Sequence, residues 1–107
     1  MKPNKTLSLL GLSAKAGKVA SGEFAAENAV KTGKAHLLIV AEDASNNTKK
    51  KFKNMCDFYQ VAIYFYGDKG ALGHAIGKEF RASLAITDAG FAKGITKQIS
   101  TEENEIA

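Results

Sequence analysis

The sequence has few of the residues that build disulfides and metal sites. A single cysteine, Cys56, excludes an intrachain disulfide and is consistent with a reducing cytoplasm. It falls on the apolar side of a predicted helix, which favours a buried thiol over a nucleophile. The two histidines, His36 and His74, lack the spacing of metal ligands. We therefore predict no catalytic residue, no metal site and no cofactor.

Long apolar runs are also missing. The longest uninterrupted aliphatic run, residues 37–41, is far shorter than the roughly 20 apolar residues that cross a membrane as a helix. A short apolar patch near the N-terminus is interrupted by Ser8, Gly11 and Ser13, unlike the continuous apolar region of a signal peptide. We expect no membrane partner and a cytoplasmic location.

Acidic residues are scarce outside the C-terminus. The 107 residues carry 15 bases and 11 acids, a net charge of +4. Three of those acids lie in residues 101–107, which leaves 15 bases against 8 acids, or +7, for the rest. A compact basic body suits a polyanion, although ordinary solubility also explains such a charge. The length suits one domain, predicted over residues 1–99, with residues 100–107 as an acidic, frayed tail.

Apolar periodicity alternates between the helical and the extended pattern along the chain. Asn4, Ser45 and Asp88 are predicted to cap helices, and Gly33 to follow the end of one. Helices are expected after Asn4 and over residues 23–32, 46–59, 71–76 and 89–99, and strands over residues 19–21, 37–41, 61–66 and 83–87. The order α-β-α-β-α-β-α-β-α indicates an α/β protein, a three-layer α-β-α sandwich around a small, mostly parallel sheet.

Two motifs resemble catalytic elements but depart from them. Residues 11–18 read GLSAKAGK, in which five residues separate the glycines, instead of the four of a phosphate-binding loop. Val19 then stands where that loop needs a Ser or Thr. Glu42 and Asp43 follow a strand, a position that suits catalytic carboxylates, but no partner accompanies them at a recognisable spacing. Asp43 with Ser45 is interpreted as a turn and cap pair.

Three connections carry residues that suit a nucleic acid. They are the turn at Ser21 and Gly22, residues 42–46 and residues 77–83. Basic side chains suit phosphates and exposed aromatic rings suit unstacked bases, which draws attention to Lys18, Lys78, Arg81, Phe24 and Phe80. The alternative interpretation of Phe24 is that its ring packs in the core. The lysine run 49–51 is either a solvated helix face or an extension of a phosphate track.

Four motifs follow one another along the chain: GLSAKAGKVASGE, AEDAS, LGHAIGK and Asp-Ala-Gly at residues 88–90. Their order resembles that of the kink-turn-binding ribosomal protein superfamily (L7Ae, L30e and S12e proteins) over about residues 5–99. They are most similar to its YlxQ-type bacterial branch. The resemblance implies a four-stranded mixed sheet and an RNA-binding edge at residues 22–31 and 78–83. In a kink turn such proteins read sheared guanine–adenine pairs with an Asn and a Glu at the start of the helix after this glycine turn, and they meet phosphate with a Lys of the same helix. Here Phe24, Ala25 and Asn28 occupy the positions of that Asn, Glu and Lys.

The sequence thus predicts a non-catalytic RNA-binding protein whose partner is a structured RNA, with ribosomal RNA as one candidate and no DNA expected. The alternative is a protein-interaction module of the same fold that has lost kink-turn recognition. A third alternative, an enzyme acting on a phosphorylated ligand, lacks a catalytic set. The expected RNA-binding residues are Lys18, Ser21, Gly22, Glu23, Phe24, Ala25, Asn28, Lys31, Glu42, Lys78, Phe80 and Arg81.

Overall fold

The computed structural model describes residues 4–106, with the side chains of residues 4–103. Five helices and four strands alternate in the predicted order. They are α1 (Lys5–Lys15), β1 (Val19–Ser21), α2 (Glu23–Lys31), β2 (Leu37–Val40), α3 (Asn46–Tyr59), β3 (Ala62–Phe65), α4 (Lys69–Ala75), β4 (Ser83–Ile86) and α5 (Ala89–Ile106). Helices α2 and α3 pack together on one face of the sheet, and α1 packs with α4 and α5 on the other. The three-layer sandwich is confirmed.

The sheet is mixed, with strand order β1-β4-β2-β3. Only β2 and β3 pair in parallel, because β4 is antiparallel to both of its neighbours. The resemblance predicted this mixed sheet, whereas the expectation of a mostly parallel sheet from alternation alone is wrong. The direction of β4 follows from the connection that precedes it. The short helix α4 and residues 78–82 stay at the end of the sheet where β3 finishes, so β4 starts from that end and runs opposite to the other three strands.

The two central strands are fully buried. All four residues of β2 and of β4 are inaccessible, as expected of strands covered by helices on both faces. The strand predicted over residues 37–41 is therefore confirmed as a core element. Side-chain caps fix the helix starts as predicted: Asn4 accepts from the Leu7 amide, Ser45 from that of Thr48 and Asp88 from that of Phe91.

Two helices differ by two or more residues from their predicted bounds. Helix α4 starts at Lys69, two residues before the predicted start, because the Asp68 carboxylate caps it by accepting from the Ala71 amide at 2.7 Å. Helix α5 continues to Ile106, well beyond the end predicted at Ile99. The Thr6 hydroxyl donates to Glu102 at 3.2 Å and holds this extension against α1. Ala107 lies outside the described residues, and fraying of the tail stays a prediction.

None of the helices in the described range is both long enough and apolar enough to cross a membrane.

Candidate nucleic-acid interface

One end of the sheet gathers the three connections that the sequence singled out. Strands β1, β2 and β3 finish at this end and β4 starts there, so we call it the site end. The Gly22 amide donates to the Ser83 carbonyl oxygen at 3.0 Å, and the Ala41 amide donates to that of Ala82 at 2.9 Å. The turn at Ser21 and Gly22, residue Glu42 and residues 78–83 are thus brought together, as expected.

Lys18 lies at the opposite end of the sheet. It precedes β1, and its carbonyl oxygen accepts from the Thr87 amide just after β4, at 2.9 Å. Lys18 is four residues from Gly22, a separation of about 13 Å along an extended strand. The structure therefore separates this lysine from the other predicted site residues.

Gly22 shapes the start of α2 at the site end. Its φ of 95° lies in the region that side chains disfavour, so the turn requires glycine. The first helical hydrogen bond of α2 runs from the Ala26 amide to the Gly22 carbonyl oxygen. The amides of Glu23, Phe24 and Ala25 therefore have no acceptor within the helix and are available to an anion.

Two aromatic rings at the site end are exposed over most of their surface. Phe24 is 86% exposed and Phe80 is 69% exposed. The alternative interpretation of Phe24 as a core residue is wrong, because Ala26, Ala29 and Val30 form the buried side of α2. Exposed rings at a basic surface are the groups on which unpaired bases stack.

The segment 78–83 is fixed by α4. A Cβ atom on Gly73 would overlap the carbonyl group of Glu79, so only glycine permits this packing. The Lys78 amide donates to Gly73 at 2.8 Å and the Arg81 amide donates to the Lys69 carbonyl oxygen at 3.1 Å. Gly73 therefore packs directly against the candidate segment. Lys78 and Phe80 are consequently presented to solvent on a fixed backbone.

An ion-pair cluster joins α2 to α3. Lys51 of α3 contacts both Glu23 and Glu27 of α2, and Lys31 pairs with Glu27 at 3.4 Å. The hydrogen bond from Lys51 lowers the pKa of Glu27, and the same bond raises the pKa of Lys51. Glu23 thereby has a structural partner, and Lys31, predicted to meet phosphate, also has an internal one.

Glu27 and the ion pairs of Lys51 were not predicted from the sequence. The spacing of Glu27 and Lys31, four residues apart on a helix, is a signal that could have revealed that pair. The contacts of Lys51 depend on how α3 packs against α2, which no local pattern records.

The remaining predicted residues also lie at the site end or on α2. Asn28 and Glu42 are exposed, and Ala25 is half-buried. Asp43 accepts a hydrogen bond from the Lys69 amide at 2.9 Å, which ties the β2–α3 connection to α4 and supports its interpretation as a turn residue. Among the described residues, no three or more His, Cys, Asp or Glu side chains are grouped to bind a metal ion. The available groups are backbone amides, basic side chains and aromatic rings.

Comparison with known proteins gives a consistent result. The sequence profile of the Ribosomal protein L7Ae/L30e/S12e/Gadd45 family matches residues 4–96. The chain is 43% identical to the RNA-binding protein YlxQ of Bacillus subtilis (strain 168) over 84 residues, covering 78% of this chain and 84% of the relative. It is 38% identical to the RNA-binding protein YlxQ of Enterococcus faecium over 89 residues, covering 83% and 85%. A solved structure of a protein of unknown function from Bacillus halodurans C superposes with a TM-score of 0.89 at 39% identity, covering 92% of this chain and 99% of that one.

Proposed function

This chain belongs to the Ribosomal protein L7Ae/L30e/S12e/Gadd45 family, and we propose that it is a non-catalytic RNA-binding protein. The observation that carries the proposal is the convergence of residues 22–28 and 78–83 at one end of the sheet, with Phe24 and Phe80 both exposed. The names of the two YlxQ relatives, which are RNA-binding proteins, support the same role.

The proposed contacts follow from the chemistry of the site. The free amides after Gly22 and the side chains of Lys78 and Arg81 contact phosphate oxygens. Phe24 and Phe80 stack on bases that are not paired within a helix. A structured RNA with unpaired bases, rather than a continuous duplex, is therefore the proposed partner, and ribosomal RNA is one candidate.

Recognition of kink turns is expected to be weaker than in relatives that keep Asn, Glu and Lys on this helix. Phe24 and Ala25 cannot donate or accept the side-chain hydrogen bonds that read guanine–adenine pairs, and Asn28 carries no charge. Each bidentate base contact is worth about 1–3 kcal/mol of discrimination by analogy with duplex readout. The proposed site binds RNA through stacking and charge more than through base-edge hydrogen bonds.

A cytoplasmic location is part of the proposal. The cysteine Cys56 is buried, and burial raises the pKa of its thiol to about 11. A single buried thiol suits a reducing compartment, where disulfides are rare.

Binding to three RNAs tests the function. Purified protein is titrated with a kink-turn RNA, the same RNA with its guanine–adenine pairs destroyed, and a plain duplex, across a salt series. We expect the kink-turn RNA and its version without guanine–adenine pairs both to bind more tightly than the duplex, with a modest preference for the intact kink turn. The logarithm of affinity should fall by about 0.7–0.9 per phosphate contact for each tenfold rise in salt. Absence of binding to all three, or salt-independent binding, would contradict the proposal.

The exposure of Phe24 and Phe80 also favours one alternative, docking of a protein at the same surface. That alternative predicts no preference among the three RNAs. The comparison of the three RNAs therefore separates the two functions.

A further inference from the structure

We propose that the first half of α3 carries a second contact surface, which holds the phosphate backbone of a double-helical RNA stem flanking the unpaired bases. The surface, which we call the α3 basic face, consists of Lys49, Lys50 and Lys53. This inference rests on the proposed RNA-binding function and adds the part of the RNA that lies beyond the site end.

The structure divides the four lysines between residues 49 and 53 into two groups. Lys51 faces α2 and is held by two carboxylates, Glu23 and Glu27. No carboxylate among the described side chains lies within ion-pairing distance of the other three lysines. One lysine therefore joins the two helices, and the α3 basic face stays available to an outside anion.

The position of α3 connects this face to the proposed base-binding surface. The helix is capped by Ser45, three residues after Glu42, so its first turns lie at the site end. Lys50 and Lys53 are exposed, and Lys49 is half-buried. With a rise of 1.5 Å per residue, the lysines span about 6 Å along the helix axis, away from the site end. An RNA that engages Gly22 and Phe24 can therefore continue over this face.

The side chains on this face fit phosphate rather than bases. Lysine is a flexible point charge without the planar fork with which arginine reads a base edge. Phe52, the aromatic residue among these lysines, is fully buried and offers no ring for stacking. The next acidic residue of the helix is Asp57, one turn beyond Lys53, which limits the basic face on that side. Such a surface contacts a nucleic-acid backbone without reading its sequence.

Charge summed over each surface points to the same partner. The cluster of Lys31 and Lys51 with Glu23 and Glu27 has no net charge, so a phosphate within a Debye length of about 8 Å at physiological salt gains little from it. The α3 basic face carries three uncompensated positive charges. Lysine side chains of the third helix, rather than Lys31 of the second, are thus expected to contact phosphate in this chain.

Combining a charge-removing variant with RNAs of different stem length tests the inference. Lys49, Lys50 and Lys53 are replaced together by glutamine in the full chain. Affinity is measured by fluorescence anisotropy for a kink-turn RNA with long stems and for versions in which each stem in turn is shortened. The control replaces three exposed lysines elsewhere, Lys34, Lys93 and Lys97, by glutamine. A second control replaces the α3 lysines by arginine, and circular dichroism verifies the fold of each variant.

We expect the α3 glutamine variant to bind the long-stem RNA at least about tenfold more weakly at 0.1 M salt, with a salt slope lower by about 2. The loss should disappear when one particular stem is shortened, and the arginine variant should restore binding. The control lysines should change affinity by less than about threefold.

Two failures are distinguishable. If the wild type binds RNA and the α3 glutamine variant binds with the same affinity and salt slope, this inference is overturned and the proposed function stays intact. Absence of RNA binding by the wild type would overturn both.

Discussion

At the scale of single residues, the site depends on which side chains face solvent. Phe24 occupies a helix position whose spacing also fits a core residue, and only the three-dimensional packing shows that Ala26, Ala29 and Val30 fill the core instead. A large apolar ring that is 86% exposed gains nothing for folding. Its contribution is therefore expected in binding.

Replacing Phe24 or Phe80 by alanine should weaken RNA binding without unfolding the protein. Stacking of a base on an aromatic ring is worth about 1–3 kcal/mol, so each variant should lose between about fivefold and about 150-fold in affinity. Stability should stay within about 0.5 kcal/mol in urea unfolding, because both rings are exposed. Phe58→Ala is the matched control, since Phe58 is 78% exposed but lies near the far end of α3. Equal affinities for all three variants and the wild type would argue against stacking.

Replacing Glu27 by glutamine should strengthen RNA binding. The substitution removes the carboxylate that Lys51 and Lys31 share, and Lys51 keeps its contact with Glu23, so the α2 surface gains one unit of positive charge. We expect tighter binding, a steeper salt dependence and little change in stability, since ion pairs at an exposed surface contribute little. Anisotropy titrations at several salt concentrations measure the first two effects. Weaker binding would mean that Glu27 acts by positioning α2 rather than by neutralising lysines.

At the scale of elements, close packing at one glycine fixes the second half of the site. Helix α4 and residues 78–83 approach until the Glu79 carbonyl group fills the space beside Gly73. Backbone contacts of this kind cannot relax as a flexible side chain can. The position of Phe80 therefore depends on Gly73.

Gly73→Ala is expected to destabilise the fold by about 1–3 kcal/mol through overpacking, and to weaken RNA binding by displacing Phe80 and Arg81. Gly94→Ala, in the interior of α5, has ordinary space around its Cβ and should instead stabilise by about 0.5–1 kcal/mol. Urea unfolding and RNA titration of both variants measure these opposite effects. A Gly73→Ala protein with wild-type stability would contradict the packing described for this segment.

Local signals predicted most of the elements but not the arrangement of the strands. Periodicity and caps gave the order of helices and strands, because Asn4, Ser45 and Asp88 satisfy amides only a few residues away. Strand order depends on contacts between residues far apart in sequence, such as the pairing of β4 with both β1 and β2. Alternation alone therefore predicted too many parallel pairs.

The same limit applies to the candidate site. The turn at Gly22 and the segment 78–83 were found from residue types, since glycine, lysine and aromatic residues each have a recognisable use at a nucleic-acid surface. The contacts of Lys51 with α2 follow from packing and could not be read from the sequence. The distance of Lys18 from the site end was available from the sequence, because the predicted strand 19–21 separates Lys18 from Gly22.

At the scale of the whole molecule, charge is distributed unevenly. The net charge is +4, and three of the 11 acids lie in residues 101–107. Glu102 and Glu103 border the same groove as Glu42 and Gly67, which places the acidic part of α5 beside the site end. This acidic border opposes the approach of RNA from that side.

Deleting residues 101–107 should tighten RNA binding, most strongly at low salt, because three negative charges are removed. The deletion also removes the hydrogen bond from Thr6 to Glu102, so some loss of stability is expected. Glu103→Gln removes one exposed charge of this border and leaves that bond in place, and it should tighten binding to a smaller extent. Anisotropy at low and high salt measures the effect, and unchanged affinity for both variants would exclude electrostatic competition by this segment.

Amide chemical-shift mapping tests whether RNA binds across the site end of the sheet. Labelled protein is titrated with a kink-turn RNA. We predict shifts in residues 22–28, in residues 78–83 and in the first half of α3, with none at Lys93 or Lys97. Shifts confined to Lys93, Lys97 and the far end of α3 at Phe58 and Tyr59, with the site end unaffected, would show that RNA does not bind there.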